Sequence, residues 1–250
     1  MNPPKTKLLI DPDHNLKQTW DGWIAALTIF ASVELPLRFV IKYEMPLWLF
    51  TIDRIIVASF LLDIVLNFFT KIYIGGKPVT NKRRIALEYL KTWFIIDFIA
   101  AFPFDLFVGP GLIKLTDATR ILRLLRLLRL TRLAQVMQKI GRADIINTSV
   151  LRMIFFTFWM ALIMHWSACI WMALGGNAAE TPESYRYLRS LYWSVTTITT
   201  IGFGDITPQN GPQTIFTILI ELLGAGMYGY VIGNIASLLA NIDVARANWL

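Results

Sequence analysis

Apolar residues fall in long blocks along this chain, and most charged residues gather between the blocks. A helix needs about 20 mostly apolar residues to cross the hydrocarbon core of a bilayer. Six blocks come close to that length: 20–41 (interrupted by Glu34 and Pro36), 52–73, 92–108, 117–136, 150–174 and 213–242. The fourth is apolar but carries a regular arginine series. A further apolar stretch, 188–200, lies between the fifth and sixth blocks and is too short to span. It is expected to be a re-entrant helix, because irregular backbone at membrane depth is tolerated only where it is buried in protein or lines water.

Composition sharpens this picture. The 250 residues are 55% hydrophobic and only 16% charged, with a mean hydropathy of +0.52. The formal charge of +7 could suggest a nucleic-acid partner, but the apolar blocks argue against a soluble basic domain, and no nucleic acid is expected. Basic loops instead mark the cytoplasmic side. Loop 71–92 holds Lys71, Lys77, Lys82, Arg83, Arg84 and Lys91 against one acid, Glu88. Lys139, Arg142 and Arg152 follow the fourth block and fall on the same side. Six crossings then place both termini in the cytosol and loop 175–187 outside. Residues 1–19 carry Lys5, Lys7, Asp11, Asp13 and Lys17 with no apolar core, so they are expected to be a cytosolic lead-in rather than a signal peptide.

The character of the blocks changes near residue 140. Before it, the spans hold Asp63, Asp97 and the arginines; after it, threonine and glycine replace charge. The expected division is a cytosolic segment 1–19, a sensor-like domain of four spans at 20–139, a linker at 140–149 and a pore domain at 150–250.

Within the second module, Thr200-Ile201-Gly202-Phe203-Gly204-Asp205 follows the threonine-rich re-entrant stretch. Rings of backbone carbonyls can replace the water shell of a potassium ion. To point all carbonyls one way, an extended strand needs unusual dihedrals at alternate residues, which glycine permits. Gly202 and Gly204 have that spacing, and Thr200 adds a hydroxyl at the inner end. Ile201 and Phe203 are expected to point away from the pore axis. The helix C-terminus near Thr199 directs its negative dipole end toward a cation.

Arg120, Arg123, Arg126, Arg129 and Arg132 recur every three residues with leucine or isoleucine at most positions between. Each costs roughly 2.5–3.5 kcal/mol at mid-membrane on insertion scales. They must therefore meet acids, water or headgroups. On an α-helix this spacing spirals; on a 3₁₀-helix it makes one straight face. Asp63 and Asp97 are the candidate counter-charges, with Asp53 and Asp105 nearer the outer ends of their spans. Either a moving voltage sensor or a static scaffold of ion pairs fits this pattern.

In the sixth block, Gly224, Gly226, Gly229 and Gly233 suit close helix packing or a hinge. Val231, Ile235 and Leu239 recur every four residues and are gate candidates, with Ile235 expected at the narrowest point. Glu221 is an acid within this span. His14, His165 and the single cysteine Cys169 lack the neighbours of a metal site or a nucleophile–base pair, so neither an enzyme nor a small-molecule substrate is expected.

The filter run resembles the potassium-channel superfamily signature Thr-Val/Ile-Gly-Tyr/Phe-Gly. Three further runs, IIDFIAAFPFD at 95–105, HWSACIW at 165–171 and GNIAS at 233–237, resemble the cyclic-nucleotide-binding-domain channels, in particular bacterial cyclic-nucleotide-gated potassium channels. The likeness covers about residues 20–245. It implies an all-α membrane protein with six transmembrane helices and a re-entrant pore helix, a voltage-sensor-like four-helix bundle followed by a tetrameric potassium-channel pore. It further implies a homotetramer in bilayer lipid, at the plasma membrane (a bacterial inner membrane). K+ ions would sit at Thr200, Ile201, Gly202 and Phe203. Cyclic nucleotide would act only through a domain outside this sequence. A weakly selective cation channel and a secondary transporter are the alternatives.

Overall fold

The computed structural model describes residues 9–41, 46–74, 77–102, 124–131, 148–180 and 182–247. The chain divides into two compact units, Met1–Met153 and Ile154–Leu250.

The first unit begins with α1, Asn15–Val40. It starts five residues before the expected span because His14 caps it, its ring accepting from the Leu16 N–H at 3.3 Å. Helix α2, Leu47–Phe68, is followed by a two-stranded antiparallel hairpin, β1 Ile72–Ile74 and β2 Lys77–Val79, in which Tyr73 faces Pro78. Just before it, Ile10 forms a parallel bridge with Thr70, so the N-terminal segment is stitched to the end of α2.

Block 92–108 was expected as one span beginning at Thr92. A separate helix precedes it: α3, Lys82–Thr92, capped by the Asn81 side chain, which turns at Trp93 into α4, Phe94–Ala101. Lysines and arginines on α3 face solvent while Ile85 and Tyr89 are buried. The remainder of this block, including Asp105, lies outside the described residues. The core of the unit gathers Ile24 and Leu27 from α1, Ile56, Phe60 and Ile64 from α2, Tyr89 from α3 and Ala101 from α4. Phe68 and Tyr89 meet edge to face at 4.9 Å, a geometry aromatic pairs favour. From the arginine-bearing block, Leu125–Arg129 is a 3₁₀ stretch, packed against α1 and α4.

The second unit contains the end of α5, Thr148–Ala173, the short helix α6, Glu183–Ile198, and α7, Gly211–Ala247. Helix α6 begins five residues earlier than its apolar run. Pro182 precedes it and Glu183 occupies its first turn, where the helix dipole favours an acid. Arg186, in that polar turn, donates to the Met172 and Gly176 carbonyls at 2.7 and 3.1 Å. It thereby adds a donor to the Met172 carbonyl, which also accepts from the Gly175 N–H at 3.0 Å, and pairs the Gly176 carbonyl in the turn beyond α5. Asn210 caps α7 by accepting from the Gln213 N–H at 3.0 Å.

Among the described residues, three stretches are long and apolar enough to cross a membrane: Asn15–Val40, Arg152–Ala173 and Gly211–Gly233. Helix α2 has 22 residues but carries Asp53, Arg54 and Asp63. One face of α7 is apolar and exposed, with Ile215, Ile218, Leu219 and Leu222 at helical spacing. An exposed apolar face of this length belongs in lipid or against other helices.

Candidate functional site

Helix α6 is the platform for the segment that follows it. Trp193 stacks on Trp171 of α5 with ring centroids 3.9 Å apart and meets Phe216 of α7 at 6.1 Å. Ser194 donates to the Met164 carbonyl at 2.9 Å. His165 and the Tyr187 hydroxyl share a hydrogen bond of 2.8 Å, so this histidine packs and bonds within the unit. These contacts bury one face of α6, including Ser190, Thr196 and Ile198, and fix where the helix ends.

The chain then leaves the helix through a tight turn. The Thr196 carbonyl accepts from the N–H groups of both Ile201 and Gly202, at 2.9 and 3.1 Å. Beyond it, φ is +61° at Thr200, +55° at Gly202 and +76° at Gly204, and Ile201 and Phe203 are absent from the positive-φ residues. The backbone thus alternates in hand for five residues. Such alternation reverses every second peptide plane relative to a β-strand, so successive carbonyls can share one side. Glycine adopts positive φ without penalty, whereas a β-branched residue there is a true outlier. Thr200 therefore holds a conformation costing about 1–3 kcal/mol, which persists only where the surroundings impose it.

Thr200, Ile201, Gly202, Phe203 and Gly204 are all exposed in the single chain, Ile201 at 55% and Phe203 at 68%. The Phe203 ring lies parallel to Tyr192 of α6 at 6.3 Å. Arg189 approaches Asp205 at 3.5 Å and Glu180 at 3.8 Å, with its guanidinium over the Tyr192 ring. Sequence reasoning did not single out Arg189, whose partners come from three separate segments.

Gly224 of α7 crosses the end of α6 closely. A Cβ there would lie 2.6 Å from the Ile198 carbonyl oxygen, whereas at Gly226, Gly229 and Gly233 it would meet nothing within 4 Å. Of the gate candidates, Val231 is half-buried on α7; the side chains of Ile235 and Leu239 lie outside the described residues. Glu221 is exposed.

In the first unit, Arg126 sits in the 3₁₀ stretch, only 3% exposed, with Nη1 2.6 Å from Asp53 Oδ1. The backbone of Arg129 is the last residue of that stretch, and in 3₁₀ geometry positions three apart share a face. Arg120, Arg123, Arg132 and the Arg129 side chain lie outside the described residues. Asp63, 1% exposed, accepts from Trp20 Nε1 at 3.1 Å and Asn67 Nδ2 at 3.0 Å. Lys17 Nζ stands 3.6 Å from it. Asp97, also buried, accepts from the Tyr89 hydroxyl at 2.6 Å. The described partner of Arg126 is thus the acid nearer the start of α2. Lys17 and Asp21 were missed, although their separation of four is that of a helical ion pair; extending α1 upstream brings it out.

The chain is 30% identical to the voltage-gated inwardly rectifying potassium channel KCNH2 of Sus scrofa, with 93% of this chain and 23% of that protein aligned. It is 31% identical to the potassium voltage-gated channel unc-103 of Caenorhabditis elegans (93% and 33%). With the voltage-gated inwardly rectifying potassium channel KCNH6 of Homo sapiens it shares 30% identity (93% and 28%). The chain spans about a quarter to a third of the length of these curated relatives. Residues 17–247 match the ion transport protein family as a whole. With nearly its full length matched, the chain belongs to the ion transport protein family.

Proposed function

We propose that this chain is a subunit of a homotetrameric, potassium-selective, voltage-sensing channel, with Thr200, Ile201, Gly202, Phe203 and Gly204 as its selectivity filter. The observation that carries this reading is the alternation of positive φ at Thr200, Gly202 and Gly204, placed after the buried helix α6. Four such strands around an axis would present stacked carbonyl rings to K+ ions at Thr200, Ile201, Gly202 and Phe203. The relatives' names describe voltage-gated potassium channels, which supports this reading.

In this reading, Arg120, Arg123, Arg126, Arg129 and Arg132 carry the sensing charge. Asp53, Asp63 and Asp97 are the acids they pass, and Val231, Ile235 and Leu239 line the gate. One charge crossing the field is worth about 2.3 kcal/mol per 100 mV, so three per subunit in four subunits would supply roughly 28 kcal/mol. The buried Arg126–Asp53 pair supports a charge held within the sensor. The basic loop 71–92 supports cytosolic termini. The resemblance in the sequence favours a bacterial inner membrane, and cyclic-nucleotide control through a domain outside these 250 residues.

Reconstitution into planar bilayers under a potassium gradient tests the proposal. Unitary current steps reversing near the potassium equilibrium potential are expected. A reversal potential that barely moves when sodium replaces potassium on one side would point to a weakly selective cation channel instead. Smooth, saturable flux without unitary steps would point to a transporter.

A further inference from the structure

We infer that Lys17 is a resident cation of the sensor, fixed beside Asp63 and competing with the arginine series for that carboxylate. The inference rests on the voltage-sensing reading above.

A lysine in the polar lead to a membrane helix is expected to reach water. Lys17 instead is 5% exposed. Its Nζ lies 2.7 Å from Asp21 and 3.6 Å from Asp63, and it donates to Asn67 Oδ1 at 3.4 Å. Asn67 in turn donates to Asp63 from its amide nitrogen, and Trp20 does so from its indole. Lys17, Trp20 and Asp21 thus occupy one turn of α1 against Asp63 and Asn67, one turn apart on α2. Farther along, Trp23 donates to Ser59 at 3.2 Å, and Ile24 and Leu27 pack with Ile56 and Phe60. The two helices are bound together along this line, so Lys17 keeps its position relative to Asp63.

Location gives the lysine a role. Asp63 lies five residues before the end of α2, which leads into the basic loop and hence toward the cytosolic side. Asp53, the partner of Arg126, is ten residues earlier, about 15 Å along the helix axis. An arginine drawn inward toward Asp63 meets a carboxylate shared with a lysine that does not travel. Lys17 offsets one of the two carboxylate charges of Asp21 and Asp63. Lys17 therefore weakens the inner station and biases the arginines outward, toward the Asp53 arrangement. It is a positioning residue: it acts on the sensing charges through Asp63.

The test is gating-charge movement against voltage in the tetrameric channel, comparing the parent with Lys17→Met, Lys17→Gln and Lys17→Arg. Removing the charge should increase the inward-to-outward population ratio at a fixed voltage by about tenfold or more. The midpoint of charge movement then shifts to more depolarised voltages. Lys17→Arg should stay near the parent, and the Lys17→Met shift should shrink in an Asp63→Asn background. A purely structural lysine would lower thermal stability without moving the midpoint. An unmoved midpoint in both neutral variants overturns the inference, as does an equal shift with Asp63 already neutralised. If the parent conducts potassium selectively yet moves no charge, the voltage-sensing reading falls and takes this inference with it. If the parent moves charge and the neutral variants match it, only the role of Lys17 falls.

Discussion

Replacing Gly224 with alanine should damage the proposed filter although it adds a single methyl to a helix. The added Cβ would sit 2.6 Å from the Ile198 carbonyl oxygen and 3.0 and 3.1 Å from the Ile198 Cα and carbonyl carbon. All three are backbone atoms, so no rotamer change relieves the clash. Ordinary contact begins at 3.4 Å, so α7 and the end of α6 must separate by about 0.8 Å. Ile198 has little room to retreat, being 1% exposed on a helix held by Trp171 and by the Ser194 bond to Met164. Alanine would favour the helix by about 1 kcal/mol over glycine, while overpacking of this kind costs about 1–3 kcal/mol. The net loss is therefore about 0–2 kcal/mol per subunit, concentrated two residues from the Thr196 carbonyl that holds Ile201 and Gly202. Thermal unfolding of the purified protein, paired with potassium-to-sodium permeability ratios in bilayers, would measure both effects. Gly226→Ala, whose Cβ meets no atom within 4 Å in the chain, is the comparison and should be neutral or stabilising. Full stability and unchanged permeability in Gly224→Ala would refute the reasoning.

Other substitutions probe the remaining contacts. Gly202→Ala forces an L-residue to φ near +55°, at a cost of about 1–2 kcal/mol; potassium current should vanish while helix content by circular dichroism is retained. Arg126→Gln or Asp53→Asn breaks a buried pair and should destabilise the sensor by about 3–5 kcal/mol. Shallower voltage dependence and a lower unfolding temperature are expected, with less than additive effects in the double variant; unchanged steepness would favour a static scaffold. Asp11 is held below its ordinary value of 3.8 by the Lys71 side-chain hydrogen bond first and the Asp13 N–H second. Its carboxylate therefore supports the N-terminal bridge above that pH, and the support is lost as pH falls through the depressed value. Limited proteolysis at the N-terminus should be flat from pH 7 to 5 and rise only in stronger acid.

The apolar blocks made α1, α5 and α7 legible, because length and hydropathy alone select them. Their starts were less so. Asn15 to Thr19 looks like solvent-exposed chain until Lys17 is seen to have buried partners on α2, and those partners are 46 and 50 positions away. The opening turn of α6 was hidden similarly, since Arg186 is spent on carbonyls of α5 rather than on water. Spacing identified Arg126 as charged cargo needing an acid, but choosing among Asp53, Asp63 and Asp97 requires the register between two helices. Gly224 was open between packing and hinge; the nearness of Ile198 favours packing there. Gly202 and Gly204 were readable because positive φ is a local property of residue type. Thr200 was not, since nothing in a threonine announces φ of +61°.

The strand proposed as the filter also bears on assembly. Within one chain, the described backbone bonds hold its inner end, through the Thr196 and Thr197 carbonyls, and Ile201 and Phe203 lie exposed. Carbonyl groups left in hydrocarbon cost several kcal/mol each. In the proposed tetramer, a lone subunit would thus carry unpaired backbone at membrane depth until three others enclose it. Under that reading, the lone subunit should be less stable than the assembled one. Permeant ions bound by the enclosed carbonyls would then favour the assembled state by mass action.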